Sequence, residues 1–247
     1  MQPKSRPAVS NLRLARRQRL PEIMDQPDLA PELHHQALDG LRRINIVSRS
    51  AAILAGPIET VAKRLGTTSL SLCDVATGGA DVPISLWQQL QRKGIELNVT
   101  AVDVSPVALE YAAERAQAKG MAIELKQVDV TEQPLPGKFD IVTSTLFLHH
   151  LDGPIATNVL QEMKQATEHT LLVSDLRRTT LGLAAAHLAC RLFSRSIVVH
   201  VDGPSSVRGA FTTDEMRELC HAAKVQTAKI SHCWPFRILV QWERDDV

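Results

Sequence analysis

Three carboxylates and a turn of small residues form the part of this sequence best suited to binding a ligand. An apolar run ends at Asp74, and small residues follow from Ala76 to Asp81. The run predicts a buried strand, and apolar residues at helical spacing after the turn predict a helix whose N-terminus faces the ligand. A second predicted strand ends at Asp103, at about the distance where a ribose-binding acid is expected. This arrangement is typical of a nucleotide-type site.

The composition of the turn narrows the choice of ligand. A dinucleotide-binding turn uses glycines so that the backbone can approach a pyrophosphate, whereas the corresponding positions here are Ala76, Gly78 and Asp81. A carboxylate repels a pyrophosphate, but S-adenosylmethionine has no phosphates and carries two positive groups. The acids Asp74 and Asp81 therefore favour that cofactor. A role for Asp81 as a solvated helix-capping carboxylate remains an alternative.

These segments, in this order, resemble the class I S-adenosylmethionine-dependent methyltransferases. The first motif of that family, an acid followed by alternating glycines, aligns with residues 74–80, where two of the glycines are alanines. Later segments resemble the second strand and helix of the family and its third and fourth strands, so the match covers about residues 68–175. The resemblance implies a doubly wound, Rossmann-like α/β fold: a mostly parallel seven-stranded sheet with a C-terminal antiparallel hairpin and N-terminal cap helices.

The resemblance also implies roles for individual residues. Asp103 would hydrogen-bond the ribose hydroxyls, and Asp129 would accept from the adenine amino group. Ser144 and Thr145 would line the methionine end of the cofactor. The cofactor-binding residues implied in this way are Asp74, Ala76, Thr77, Gly78, Gly79, Asp103, Val104, Asp129, Val130, Ser144 and Thr145.

Two adjacent histidines, His149 and His150, follow the fourth predicted strand at the carboxyl edge of the sheet. Histidine can take a proton near neutral pH, and a phenol or enol becomes a stronger nucleophile when it is ionised. Both are therefore candidate catalytic bases, with packing against the next helix as the alternative for each. A metal site at this pair is not expected, since adjacent side chains diverge and no third ligand is evident.

Charge and hydropathy patterns divide the chain into three parts. Residues 1–20 hold basic residues and no acid, which predicts a solvated, partly disordered arm, with weak contact to anionic lipid or nucleic acid as the alternative. Residues 21–66 show a helical stripe and are predicted to form cap helices. Residues 67–247 form the predicted methyltransferase domain. It includes a substrate-covering insertion at about 176–212, in which an apolar helix is followed by a loop that turns at Gly203 and Pro204.

The last third of the chain is predicted to hold the acceptor. A fifth strand ends at Asp175, so Asp175 and Arg177 lie at the edge where doubly wound proteins bind ligands. Thr213 begins a further helix. Two strands separated by Trp234, Pro235 and Phe236 resemble the antiparallel hairpin that closes the sheet of the family.

The overall composition excludes several classes of protein. Hydrophobic residues make up 44% of the chain and aromatic residues only 4%, which favours one aliphatic α/β core. The net charge of +1 offers no global attraction to nucleic acid. The four cysteines lack close pairs and metal-ligand spacing, which predicts reduced thiols and a cytoplasmic location. No apolar run resembles a signal peptide or a membrane span.

Taken together, these features predict an S-adenosylmethionine-dependent methyltransferase that acts at oxygen or carbon of a small aromatic, quinone or polyketide acceptor. Its apolar cap and its similarity to methyltransferases of the quinone-biosynthesis type favour that acceptor class. One alternative is a nicotinamide-dependent oxidoreductase, which Asp81 and the absence of a Tyr-x-x-x-Lys pair disfavour. Another is a methyltransferase-like protein that binds the cofactor without catalysis.

Overall fold

Strands and helices alternate through most of the chain. The computed structural model describes residues 14–26 and 28–244. The helices within these residues are α1 (Pro31–Val47), α2 (Ser50–Leu65), α3 (Asp81–Gln91), α4 (Pro106–Gln117), α5 (Gly153–Ala166), α6 (Thr180–Phe193), α7 (Ile197–Gly209) and α8 (Thr213–Ala222). The strands are β1 (Ser69–Val75), β2 (Glu96–Asp103), β3 (Ile123–Gln127), β4 (Phe139–Thr145), β5 (Thr167–Leu176), β6 (Lys229–Cys233) and β7 (Arg237–Glu243).

The seven strands form one sheet in the order β3-β2-β1-β4-β5-β7-β6. Strands β1 to β5 pair in parallel, whereas β7 is antiparallel to both β5 and β6. The chain reverses its direction across the sheet between β1 and β4, and ligands of doubly wound proteins bind at such a switch point. This topology confirms the predicted fold.

Helices cover both faces of the sheet, which explains why the central strands are almost continuously apolar. Leu160 and Met163 of α5 are buried on one face, and Leu54 and Ile58 of α2 are buried on the other. Because the core holds the strands rigidly from both sides, the residues at their carboxyl ends have fixed positions.

A cap of three helices lies over the carboxyl ends of the strands. Helix α1 packs against α4, α6 and α7, and α6 packs against α7. Residues of all three cap helices contribute to one cavity above the sheet. Within the described residues, no helix is both long and apolar enough to cross a bilayer.

The loop expected around Gly203 and Pro204 is instead part of helix α7, so that prediction was wrong. A Cβ built on Gly203 would lie 2.3 Å from the Sγ atom of Cys190 in α6, so the glycine permits the two helices to cross closely. Val198 and Val207 are buried on the same helix. This packing offsets the low helix propensity of proline and glycine, which had favoured a turn.

Residues 14–20 lie against the folded domain. The guanidinium of Arg17 donates hydrogen bonds to the carbonyl oxygens of Gly209 (2.6 Å), His149 (3.0 Å) and Leu151 (2.6 Å). This part of the chain therefore differs from the expected solvated arm, because the cation satisfies three carbonyl groups at once. Residues 1–13 of that predicted arm lie outside the described residues.

Candidate functional site

A cavity of about 1110 Å³ lies where the carboxyl ends of the parallel strands meet the cap helices. Its walls are mainly apolar. Polar groups enter it from the turn after β1 and from the ends of β2, β4 and β5. A large apolar cavity with a few converging polar groups is typical of a small-molecule site.

The turn after β1 has the backbone conformation that the glycines of the family motif normally provide. The φ angle is 55° at Ala76, 54° at Gly78 and 53° at Ala80. Two alanines thus occupy the left-handed region, which a residue with a Cβ enters at a cost of about 1–2 kcal/mol. Gly79 is required for a different reason, since a Cβ there would lie 2.9 Å from the ring of Tyr111. The turn therefore keeps its shape despite the two substitutions.

The carboxylate of Asp74 holds this turn in place. It is buried, and it accepts hydrogen bonds from Thr77 Oγ1 at 2.8 Å and from Thr143 Oγ1 at 2.7 Å. Burial raises the pKa of Asp74 to about 6, although both hydroxyls stabilise its ionised form. Asp74 and Thr77 also line the cavity, so they lie close to a bound ligand while they fix the backbone of the turn.

The carboxylate of Asp103 lies at the end of β2, beside the same turn. Its two oxygens accept from the backbone N–H groups of Gly78 at 2.7 Å and Ser105 at 2.9 Å. Burial raises the pKa of Asp103. Each carboxylate oxygen has a second lone pair, so both remain able to accept from ribose hydroxyls. The next residue, Val104, lines the cavity and is 58% exposed although it is apolar.

Asp129 and Val130 follow β3 and also line the cavity. Oδ1 of Asp129 accepts from the N–H group of Thr131 at 2.9 Å and from its hydroxyl at 2.6 Å. This leaves Oδ2 to accept from a donor such as an amino group. The positions of both residues are compatible with the adenine contacts that the family resemblance implies.

Ser144 and Thr145, which are adjacent in β4, differ in their surroundings. Ser144 is buried, donates a hydrogen bond to the carbonyl of Val75 at 3.1 Å, and is not among the residues that line the cavity. Thr145 lines the cavity, and its buried Oγ1 has no partner within the described residues. Successive side chains of a strand point to opposite faces, so only Thr145 is positioned for a ligand.

His149 forms a buried pair with Asp175. A single 3₁₀ turn, Leu148–His150, follows β4 and brings Nδ1 of His149 to 2.6 Å from Oδ1 of Asp175. Burial opposes ionisation of Asp175, but the charge and hydrogen bond of His149 hold the pKa of that carboxyl below its usual value. In the neutral form of the His149 ring, an ionised Asp175 accepts from Nδ1–H and the lone pair lies on Nε2. His149 therefore has the tautomer that a general base requires.

His150 has a different electrostatic environment from its neighbour. Its Nδ1 lies 3.0 Å from Oδ2 of Asp25, and its Nε2 lies 3.9 Å from Oε2 of Glu22. Burial opposes its ionisation, but the hydrogen bond with Asp25 and the charges of both acids raise the pKa of His150 to about 9. At neutral pH the ring is therefore an imidazolium, which can donate hydrogen bonds but cannot accept a proton. Of the two expected bases, the geometry supports His149.

A carboxylate lies close to both histidines, contrary to the expectation that no third ligand would be near them. Potential ligand atoms of Glu22, His149 and His150 lie within 4.8 Å of one another. Burial raises the pKa of Glu22, and Ser206 Oγ donates to its Oε1 at 2.6 Å. The charge of His150 and the hydrogen bond from Ser206 favour the ionised form of Glu22. The sequence contained no signal for Glu22, because its position depends on how residues 14–26 pack on α7.

Arg237, at the start of β7, is a charged cavity residue that sequence reasoning missed. The side chain is buried, and its Nη2 donates to Asn45 Oδ1 at 3.0 Å and to Ser48 Oγ at 2.9 Å. Burial lowers the pKa of Arg237 to about 10, while the charges of Asp175 and Asp81 favour its charged form. Nε and Nη1 have no partner within the described residues. One signal in the sequence could have identified Arg237: it is a charged residue directly before the apolar run Ile238, Leu239 and Val240.

Two sequence comparisons show which known proteins this chain is similar to. Residues 72–170 match a family model described as a methyltransferase domain. Over 99 residues, the chain is 25% identical to the ubiquinone biosynthesis O-methyltransferase of Pseudomonas aeruginosa (strain UCBPP-PA14). That match covers 39% of this chain and 40% of the relative, so it spans less than half of either protein.

Solved methyltransferase structures share the fold. The magnesium protoporphyrin IX methyltransferase of Synechocystis PCC 6803 with bound SAH is 17% identical, with a TM-score of 0.55, over 80% of this chain and 83% of that chain. An O-methyltransferase family 2 protein from Planctomyces limnophilus DSM 3776 in complex with apigenin is 20% identical, with a TM-score of 0.52, over 70% and 49% of the two chains. In its domain match, motif order and sheet topology, this chain is similar to the class I S-adenosylmethionine-dependent methyltransferases.

Proposed function

We propose that this protein transfers a methyl group from S-adenosylmethionine to an oxygen or carbon of a small aromatic, quinone or polyketide acceptor. His149, which lines a large, mainly apolar cavity and is paired with the buried Asp175, carries this proposal. The ubiquinone-pathway relative and the neighbour in complex with apigenin support the acceptor class by analogy.

The residues around the turn after β1 are suited to hold the cofactor. Asp103 would accept from the ribose hydroxyls, Asp129 would accept from the adenine amino group, and Val104 offers an exposed apolar surface for the base. Gly78 and Gly79 lack side chains where the methionine end would lie, and the unpartnered Oγ1 of Thr145 is available to a polar atom of that end. When it is bound, the cofactor supplies an electrophilic methyl group.

The remaining requirements of the reaction fall on the protein. Methyl transfer needs a nucleophile held in line with the methyl group and a pocket that excludes water. Residues of helices α1, α6 and α7 line the cavity and cover part of it. Nε2 of His149 would take the proton of a phenol or enol, and the charge of Asp175 would stabilise the resulting imidazolium. The carboxylate therefore positions the base, and His149 contacts the acceptor.

Turnover with a panel of acceptors tests this proposal. The full-length protein would be incubated with S-adenosylmethionine carrying a labelled methyl group and with simple phenols, hydroquinones and flavonoids. Mass spectrometry would follow S-adenosylhomocysteine and labelled product. We expect both to form with at least one acceptor that has an acidic hydroxyl or carbon, and acceptors without such a group to remain unlabelled.

Thermal melts separate the two alternative functions. A ligand at 100 times its dissociation constant stabilises the folded state by about 2.7 kcal/mol. We expect S-adenosylhomocysteine to raise the melting temperature and NADH to leave it unchanged; the reverse result would favour an oxidoreductase. Stabilisation by S-adenosylhomocysteine with no product from any acceptor would favour a binding protein without catalysis.

A further inference from the structure

We propose that the outer surface of α6 and the start of α7 docks on an anionic phospholipid bilayer. This surface, called the cap face, consists of Leu181, Leu188, Arg191, Leu192, Arg195, Ile197 and Val201. Its apolar members are between 53% and 74% exposed. Single exposed apolar side chains are common, but a contiguous group of this size on neighbouring elements marks an interaction site.

Helix α6 is apolar on two sides, and only one of them is covered. Ala185, Ala189 and Phe193 line the cavity. Leu188 and Leu192, one turn apart on the outer side, are 61% and 65% exposed. A helix that is apolar on all sides is normally buried on all sides. The outer leucines therefore face solvent, whereas the inner residues face the cavity.

The charge of the cap face is entirely positive. Residues 176–201 contain no aspartate or glutamate, and Arg191 and Arg195 are both exposed beside the leucines. The first acid that follows, Asp202, accepts from the backbone N–H groups of Ile23 and Met24 and is buried. Apolar side chains flanked by arginines, with no acid between them, are typical of helices that lie in the interface of an anionic bilayer.

An exposed tryptophan extends the cap face toward the β6–β7 turn. Trp234 is 66% exposed and also lines the cavity. Its turn lies against the start of α6, because a Cβ built on Gly182 would be 3.3 Å from Cβ of Phe236. Tryptophan is enriched at the headgroup level of membranes, where an apolar ring with one polar N–H group fits.

A second copy of the chain fits the cap face less well than a bilayer. In a twofold dimer the same surface would lie on both sides of the interface. Arg191 and Arg195 of each copy would then face arginines with no acid on the surface to compensate them, which is unfavourable. Anionic lipid headgroups provide the missing negative charge.

A docked cap face would place the apolar wall of the cavity beside the bilayer. The inner side of α6 would then lie between lipid and the site. If the protein transfers methyl groups as proposed above, this arrangement favours an acceptor that partitions into membranes. That consequence rests on the proposed function, whereas the docking surface itself does not.

Vesicle sedimentation tests the docking surface directly. The full-length protein would be mixed with vesicles of phosphatidylcholine alone and with vesicles in which part of it is replaced by phosphatidylglycerol. We expect binding to the anionic vesicles that weakens as salt is added. The L188E/L192E variant should bind them about tenfold or more weakly, because it removes apolar contacts and adds negative charge.

Matched variants distinguish the cap face from other sources of binding. Ile155→Glu changes an exposed apolar residue on α5, outside the cap face, and should bind as the unchanged protein does. The variants must keep their melting temperature and their affinity for S-adenosylhomocysteine. If L188E/L192E bound as well as the unchanged protein, the basic N-terminal residues or another surface would be responsible and the proposal would be overturned.

Two further outcomes would also overturn the proposal. One is the absence of binding to anionic vesicles. The other is a stable dimer in solution that Leu188→Glu dissociates, which would identify a second copy as the occupant of the cap face. Neither result bears on methyl transfer, because acceptor turnover is measured separately and without lipid.

Discussion

Nδ1 of His149 lies 2.6 Å from Oδ1 of Asp175, and the two side chains are only 3% and 1% exposed. The pair joins the residues that follow β4 to the end of β5, and these strands are hydrogen-bonded neighbours, with Thr145 opposite Ser174. The sheet therefore fixes the distance between the two groups. A flexible loop would not hold the base in one orientation.

Removal of the base is expected to impair chemistry and to spare cofactor binding. His149→Ala should lower turnover with a phenolic acceptor by about 10²–10⁴-fold, the usual contribution of a general base. Asp175→Asn should also lower turnover, because the amide no longer favours the tautomer with its proton on Nδ1. Steady-state kinetics from pH 6 to 9 and calorimetric titration of S-adenosylhomocysteine would measure the two effects.

His150→Gln provides the control for this prediction. The side chain remains polar and near its original size, but the charge is lost. It should retain far more activity than His149→Ala, since His150 is already protonated at neutral pH. Full activity of both histidine variants across the pH range would show that catalysis occurs by proximity alone.

Asp103 is expected to contribute to affinity for the cofactor. Asp103→Asn keeps the size of the side chain but replaces one acceptor oxygen with an amide donor. Loss of hydrogen bonds to a charged group weakens binding by about ten- to a hundredfold. Calorimetric titration of S-adenosylhomocysteine measures this. Glu110→Gln removes a carboxylate from the exposed side of α4 and should leave affinity unchanged; equal losses in both variants would exclude Asp103 from the site.

The free energy of unfolding is expected to fall as the pH rises from about 6.5 to 9. The pKa of His150 in the folded protein is about 9, above its ordinary value of 6.5. Its contribution is thus fully present below pH 6.5 and is lost as the pH rises through 9. A shift of this size corresponds to about 3 kcal/mol. Asp25 is 59% exposed, so solvent screening reduces the expected effect to about 1–2 kcal/mol.

Urea denaturation at several pH values would measure that decline. In Asp25→Asn the hydrogen-bonded partner loses its charge, so the slope between pH 6.5 and 9 should become shallower. His150→Gln should remove this contribution completely. An unchanged slope in His150→Gln would assign the pH dependence to another group.

The turn after β1 is expected to become more stable when Ala76 is replaced by glycine. At a φ angle of 55°, alanine carries left-handed strain of about 1–2 kcal/mol. Glycine removes that strain but adds flexibility to the unfolded chain, so the net gain should be about 0.5–1 kcal/mol. Thermal melts and urea titrations would report it. Ala113→Gly, at an exposed site within α4, should instead destabilise the protein by about 1 kcal/mol.

The first two strands and the acids at their ends were predictable from local patterns, whereas the arrangement of the seven-stranded sheet was implied by the family resemblance. Apolar runs that end in Asp74 and Asp103 indicate buried parallel strands, and residues at the ends of such strands meet at one edge of the sheet. His149 was found for the same reason. These predictions required only the spacing of residues within short segments.

The environment of the histidines could not be predicted in this way. Asp25 and His150 are 125 residues apart in the chain, and no local pattern connects them. The helix through Gly203 and Pro204 depends likewise on contact with Cys190, which overrides local propensity. In the same way, β-strand alternation shows that Ser144 and Thr145 face opposite sides, but which of them faces the cavity depends on packing.

The hydrogen bonds of Arg17 join an earlier segment of the chain to segments that are synthesised much later. Its partners His149 and Gly209 are 132 and 192 residues further along the chain. The strands that hold the cofactor acids can pair before α7 has been synthesised, but Arg17 cannot find all its acceptors until afterwards. Contacts of such long separation form late and slowly. We therefore expect the acceptor side of the cavity to be completed last during folding, on a cofactor side that is already formed.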